Sequence, residues 1–265
     1  MPSRRKGWKG MRQVVHGIVL REVAYKESDK ILTVLTDKNG QMTVAARGSR
    51  KKGGGVSAAA QLLIWSEMTL SEYRGHWTLS EAATEREFRR VRSDLERLAL
   101  GSYFAELTEL LTEEGVPNEG MLALLLNSLY VMEATDRPLP LVKATFELRA
   151  MCLSGYRPLL ERCAVCGREQ PEEPALQLRS GLLHCRRCPL PTEDGVSVAL
   201  DGASLAAMRH VADCEKKKLF SYRLSPEAQA RMSRACESFL LAQMERSFRT
   251  LEFYRQVAPE DETIS

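Results

Sequence analysis

The chain holds seven cysteines, and four of them fall in two Cys-x-x-Cys pairs, Cys163/Cys166 and Cys185/Cys188, separated by eighteen residues. That spacing is the pattern of a structural tetrathiolate zinc site, because each pair forms a tight knuckle and two knuckles place four thiolates around one tetrahedral ion. Gly167 and Pro189, directly behind the pairs, suit the turns that follow. Two disulfides, four scattered core thiols and an iron–sulfur cluster are the competing readings. Paired knuckles at this spacing are uncommon by chance, and nothing around them marks a redox partner site. Four protein ligands leave no open coordination position, so such a zinc is structural rather than catalytic. Cys152, Cys214 and Cys236 stand alone at apolar positions of helix-like segments and read as inert buried thiols. An odd cysteine count with paired knuckles fits a reducing compartment.

Other chemistry is hard to find. Gly48-Ser49-Arg50-Lys51-Lys52-Gly53 resembles a phosphate-binding loop, but no Lys-Ser or Lys-Thr follows its second glycine, so no nucleotide cofactor is expected. The zinc-deaminase pattern fails too, since neither His16 nor His184 begins a His-x-Glu. Four ungrouped histidines offer no acid/base constellation, and Glu113 and Glu114 read as solvated surface. No active site is legible, which points to a binding protein rather than an enzyme.

Charge is more informative. The net charge is only +3, yet residues 1–53 carry thirteen Lys or Arg against four Asp or Glu, so a basic amino-terminal segment precedes an acidic remainder. That asymmetry favours a polyanionic partner. Arg47, Arg50, Lys51 and Lys52, interleaved with Gly48, Gly53, Gly54 and Gly55, join cationic side chains to a backbone that can follow a phosphate chain. A plain solvated loop is the alternative. Lys26 and Lys30 can extend the track or serve as ordinary hairpin charges. A second cluster, Arg86, Arg89, Arg90 and Arg92, can contact DNA or pair with Glu85, Glu87 and Asp94. Of the aromatics Tyr25, Trp65, Tyr73 and Trp77, at least half are expected in the core rather than as stacking platforms.

These residues need elements to position them. Five strand-like runs occupy Gln13–Val23, Lys30–Thr36, Gln41–Ala46, Leu62–Tyr73 and Trp77–Ala82, with Asn39-Gly40 and Arg74-Gly75 as turn signals. A long connection, Arg47–Ala60, separates the third from the fourth, as in an OB-fold β-barrel. After Ala83 the periodicity becomes helical. A capping box at Ser93 opens a helix that Gly115 and Pro117 stop, Asn118 caps a second, Pro138 and Pro140 open a third over Leu141–Leu153, and Gly155 ends it. Beyond the cysteines come Ser204–Val211 and a long helix from Ser225 to about Phe248. The expected class is α+β: a basic extension over 1–10, an OB-fold domain over 11–83, a helical domain over 84–157 and 200–257 interrupted by a zinc-ribbon insert over 158–199, and an acidic tail over 258–265. No apolar run reaches the length of a membrane span, and the apolar stretch Val14–Leu20 is too short for a signal peptide, so a cytoplasmic location is expected.

Several segments together resemble the bacterial recombination mediator RecO family. They are Tyr25-Lys26-Glu27-Ser28-Asp29-Lys30-Ile31-Leu32, Ala46-Arg47-Gly48-Ser49-Arg50-Lys51, Leu153-Ser154-Gly155-Tyr156-Arg157-Pro158 and Cys163-Ala164-Val165-Cys166-Gly167, within a match covering about Val14–Leu251. The resemblance implies binding to single- and double-stranded DNA and annealing of complementary strands. It further implies association with RecR and with the carboxyl-terminal tail of single-strand-binding protein, help in loading RecA on coated strands, and a place in the cytoplasm at the nucleoid. Two other classes stay open: a zinc-ribbon enzyme that processes nucleic acid, and a basic adaptor for an acidic protein.

Overall fold

The computed structural model describes residues 11–50, 56–188 and 195–258. The extension over 1–10, Lys51, Lys52, Pro189 and the acidic tail beyond Ala258 lie outside the described residues.

Alternating apolar residues in the first ninety positions form five strands, β1 (Arg12–Tyr25), β2 (Asp29–Thr36), β3 (Gly40–Ala46), β4 (Trp65–Tyr73) and β5 (His76–Arg86). They close into a barrel in the order β1-β2-β3-β5-β4. Every neighbouring pair is antiparallel except β3 with β5, whose parallel pairing of Val44 with Trp77 and Ala45 with Thr78 completes the ring. Closure leaves no unpaired edge. One face of each strand fills the interior, where Val15, Val19, Leu32, Val34, Val44, Met68, Leu70 and Leu79 pack together, with Val56 and Ala60 of the long connection among them. The expected turn at Asn39-Gly40 forms because Gly40 adopts a left-handed φ of 63°. A Cβ there would lie 2.0 Å from the Val116 carbonyl oxygen, so no other residue fits. The structure extends β5 to Arg86, past the expected strand end at Ala82.

Helices follow: α1 (Arg89–Ser93), α2 (Leu95–Leu111), α3 (Glu119–Ala134), α4 (Leu139–Leu153), α5 (Gly202–Asp213), α6 (Pro226–Met244) and α7 (Arg249–Val257). The chain divides into two compact units: the barrel unit ends at Phe88 and also takes in Ala105–Leu122, and the helical unit comprises Arg89–Phe104 and everything from Ala123 onward. The helical unit is organised around α4, where Phe146 stacks on Phe104 at a centroid distance of 4.0 Å. Four polar side chains meet here, three of them buried. Lys143 lies 2.8 Å from Glu147 and 2.6 Å from Glu237 of α6, and the Tyr103 hydroxyl donates to Glu147 at 2.9 Å. Burial, opposed by Lys143, pushes the Glu147 carboxyl up to about 7.

Between α4 and α5 a small sheet is inserted, β6 (Pro174–Gln177), β7 (Leu183–Cys185) and β8 (Ser197–Ala199), ordered β7-β6-β8. The hairpin was expected from the sequence, but the third strand was not. Two helix boundaries also differ from expectation. Asp94, rather than Ser93, caps α2: its Oδ1 accepts from the Arg97 N–H at 2.9 Å, whereas the Ser93 hydroxyl turns back to the Arg90 carbonyl. The long helix expected from Ser225 to Phe248 breaks at Glu245, which takes a left-handed φ of 50° so that Phe248 can pack edge-on against Tyr103.

Candidate nucleic-acid interface and metal centre

Barrel geometry brings two distant segments together at one corner. Residues Lys26, Glu27 and Ser28 connect β1 to β2, and Arg47 to Arg50 leave β3, which pairs with β2 through Lys30 and Ala46. Asp29 ties them. Its Oδ1 accepts from the Gly48 N–H at 2.8 Å and from the Ser28 hydroxyl at 3.1 Å, while the Arg50 N–H donates to the Ser28 carbonyl at 3.0 Å. Gly48 meets that bond in a left-handed conformation, φ 66°, and the Ser49 hydroxyl is buried against the Ala46 carbonyl at 2.8 Å. The Gly48 N–H, aided by the Ser28 hydroxyl and the charges of Lys26 and Arg47, outweighs desolvation and holds the Asp29 carboxyl below its usual range. An ionised Asp29 therefore sits under a corner that exposes Lys26, Arg47 and Arg50, the last with its guanidinium also donating to the Lys26 carbonyl at 3.3 Å. Tyr25, 49% exposed, adds a ring face with the Lys26 ammonium 5.2 Å from its centroid. Phosphate oxygens and one stacked base are the ligands this arrangement suits.

The cysteine ribbon has a different geometry. Cys163, Cys166, Cys185 and Cys188 present sulfurs that all lie within 4.8 Å of one another, with Cys166 and Cys185 Sγ 3.7 Å apart. Sulfurs bound to one tetrahedral zinc at the usual bond length stand about 3.8 Å apart, so the four thiols fit the ion. Each knuckle closes on itself, Gly167 N–H to the Cys163 carbonyl and Cys188 N–H to the Cys185 carbonyl, both at 2.9 Å. Burial disfavours the Cys163 thiolate, but the N–H groups of Cys166, Cys185 and Val165 overcome it and bring this thiol down to about 6. Cys188 is pushed up to about 12 by burial and by its thiol neighbours. Four thiols this close resist full ionisation, which is the repulsion a divalent cation relieves. The remaining cysteines stay out of the cluster. Burial raises all three thiols, Cys152 to about 11, and only Cys236 is fully buried. His184 braces the ribbon instead of ligating: its Nε2 meets the Ser197 hydroxyl and its Nδ1 the Cys185 carbonyl, both at 2.9 Å.

Comparison with known proteins places both regions in one family. The model described as "Recombination protein O N terminal" matches residues 11–88, and that described as "Recombination protein O C terminal" matches residues 92–252. The chain belongs to the recombination protein O family. A relative from Symbiobacterium thermophilum named DNA repair protein RecO is 34% identical over 90% of this chain and 95% of its own length. Relatives of the same name from Acetivibrio thermocellus and Desulfitobacterium hafniense strain Y51 are 29% and 30% identical, over 90% and 88% of this chain and 94% and 85% of their own lengths. Two of the four segments that carried the resemblance to RecO, around Ser28-Asp29 and Gly48-Ser49, are joined by the Asp29 carboxylate.

In this RecO-family barrel, not every expected contact residue faces outward for a ligand. Lys26, Arg47 and Arg50 converge. Lys30 does not join them: its ammonium pairs with Glu22 at 2.6 Å and donates to the Ala60 carbonyl at 3.1 Å, with the side chain only 18% exposed. Its neighbours at those distances make it a brace of the barrel wall. In the helical unit Arg89 and Arg90 are both exposed, and Arg90 is engaged by Asp136 and the Thr135 carbonyl. Pairing of Arg90 was anticipated with nearby carboxylates, and the actual partner lies far along the chain. Of the aromatics, Tyr25 and Tyr73 are exposed, Trp77 packs on the barrel core and Trp65 stacks on His16 at 5.9 Å. Sequence reasoning missed Asp29 as the organising residue. The signal available was an Asp directly before a strand, a type that commonly accepts from a neighbouring backbone N–H.

Proposed function

We propose that this chain is a DNA-binding recombination mediator in recombinational DNA repair. It binds single- and double-stranded DNA through the corner built from Lys26, Arg47 and Arg50, and it anneals complementary strands. Neutralising two polyanions while leaving their bases exposed is sufficient for annealing, so neither catalysis nor a nucleotide is needed. Its partners in this reading are RecR, the carboxyl-terminal tail of single-strand-binding protein and, functionally, RecA on coated strands, in the cytoplasm. The cysteine cluster holds one structural zinc per chain. The reading is carried by the convergence of three exposed cations and one exposed tyrosine over an ionised Asp29, within the range matched by the amino-terminal family model.

No helix among the described residues is long and apolar enough to cross a membrane, which agrees with a partner in solution. A strand-annealing assay on DNA precoated with single-strand-binding protein, without ATP, tests the proposal. Annealing by the wild type and its loss in the Lys26→Ala/Arg47→Ala/Arg50→Ala variant is the expected result. Metal-dependent breakdown of the DNA would instead favour a processing enzyme. Tight capture of an acidic protein without DNA affinity would favour the adaptor.

A further inference from the structure

A cleft of about 340 Å³ opens on the barrel unit and is used by none of the residues above. The indole of Trp77 and the thioether of Met42 form its apolar part, and the amides of Gln13, Asn39 and Gln41 line the remainder with Glu114. None of the described residues lining it is a lysine or arginine. A phosphate is therefore a poor occupant, while a neutral planar ring with its own donors and acceptors is a good one. The polar groups are held in place. Gln41 is fixed at one end of its amide by the Thr112 hydroxyl at 3.0 Å, and Glu114 is bridged to Gly40 and Gln41 through the backbone. Among the described residues the Asn39 amide nitrogen meets the Met42 sulfur at 3.7 Å, and the buried Gln13 amide nitrogen has no hydrogen-bond partner. A buried amide donor without a partner is costly, and the polar edge of a bound ring would relieve that cost.

We infer that this cleft takes one nucleobase bearing an exocyclic amino group, adenine or cytosine, stacked on Trp77 and read by the amides and Glu114. Asn and Gln amides match the paired donor and acceptor of adenine, and a carboxylate accepts from the amino group of cytosine. Thymine offers carbonyl oxygens where Glu114 stands, so the same carboxylate disfavours it. Base stacking on an aromatic ring supplies affinity without regard to sequence, and the polar edge then discriminates. The inference rests on the proposed binding of single-stranded DNA, and it adds base preference to a surface whose other contacts are phosphates and one base stacked without regard to its identity.

Fluorescence anisotropy of the full chain with labelled dC15 and dT15 at neutral pH tests it. The wild type should bind dC15 about fivefold to tenfold more tightly, the range of one good base contact. Asn39→Ala/Gln41→Ala should reduce dC15 to the dT15 level while leaving dT15 affinity and its salt dependence unaltered. Glu114→Gln, a surface change, should raise dT15 binding toward that of dC15. Equal binding of the two oligonucleotides by the wild type, or a preference that survives the double variant, would overturn the inference and leave the DNA-binding proposal standing. Failure to bind either oligonucleotide would overturn both.

Discussion

The barrel unit and the helical unit treat their positive charges in different ways. At the barrel corner Lys26, Arg47 and Arg50 are exposed, and the carboxylate that organises them, Asp29, is engaged by backbone N–H and hydroxyl groups. In the helical unit Lys216, Lys217 and Lys218 are also exposed, but several arginines are committed to backbone carbonyls. Arg97 donates to the Met132 carbonyl at 2.7 Å, Arg137 to that of Tyr222 at 2.9 Å, and Arg149 to those of Val211 and Ala212 at 3.1 and 2.8 Å. Arg209 holds the carbonyls of Leu160, Glu161 and Glu169 at 2.8, 3.0 and 2.6 Å. Met132, Val211 and Ala212 lie in the last turns of their helices, where carbonyls lack helical partners and a cation meets the negative end of the dipole. Counting basic residues therefore does not locate a nucleic-acid surface; the partners of each residue do.

The contrast is broken if removing a helical-unit group spares folding, or if removing a corner cation impairs it. The largest effect belongs to the metal. A structural zinc contributes on the order of 10 kcal/mol to a small module. Cys185→Ser should lose zinc and unfold the ribbon, while Cys214→Ser retains one ion per chain and DNA binding survives in the soluble fraction of both. Metal content measured beside annealing rate decides it, and loss of zinc from the Cys214 variant would contradict the four-thiol site.

Next comes the buried cluster of α4. Lys143→Met leaves the buried Glu147 without its cation, while Glu237 keeps Arg255, and breaking such a buried pair costs about 3–5 kcal/mol, measurable by urea unfolding. The same cluster carries a pH signature. Because the folded Glu147 carboxyl holds its proton to about 7 against an ordinary 4.5, its contribution to stability is full below 4.5 and is lost as pH rises through 7. Melting temperature should fall across that window in the wild type and fall less in Glu147→Gln.

Smaller effects separate the corner from its surroundings. Replacing Lys26, Arg47 and Arg50 by Ala should flatten the slope of log affinity against log salt for single strands by about two units, with little change in unfolding. Singly, Lys26→Ala should lower the slope by about 0.7, and Lys30→Ala should leave it unchanged, because Lys30 already serves Glu22 and the Ala60 carbonyl. A slope that falls equally in both variants would erase the distinction between outward and inward cations.

Features set by local pattern were legible in the sequence: the cysteine knuckles, the five alternating strands, the Asn39-Gly40 turn and the Asn118 cap, whose Oδ1 accepts from the Met121 N–H at 3.0 Å. What escaped depends on partners distant along the chain. Nothing near Arg90 announces Asp136, and the break at Glu245 lacks a glycine or proline because its cause is the seat Phe248 finds beside Tyr103. The strand β8 pairs with β6 across twenty residues, Val198 opposite Leu176, and has too few residues to show a period of its own. The basic loop expected as a contact track was visible as a run of charges, but the geometry at its base needs Asp29, whose bond to Gly48 crosses from one hairpin to the next.

Lys26 adopts a left-handed backbone, φ 53°, at the tip of the β1–β2 turn. Glycine takes that conformation without steric cost, and an engineer seeking thermostability would make Lys26→Gly first. The exchange should raise the melting temperature and weaken DNA binding together, since it relaxes the turn by deleting one of its three cations. The strained lysine thus marks a position where optimising the fold and optimising the proposed DNA contact pull in opposite directions, and a stability screen without a binding readout would select for the weaker binder.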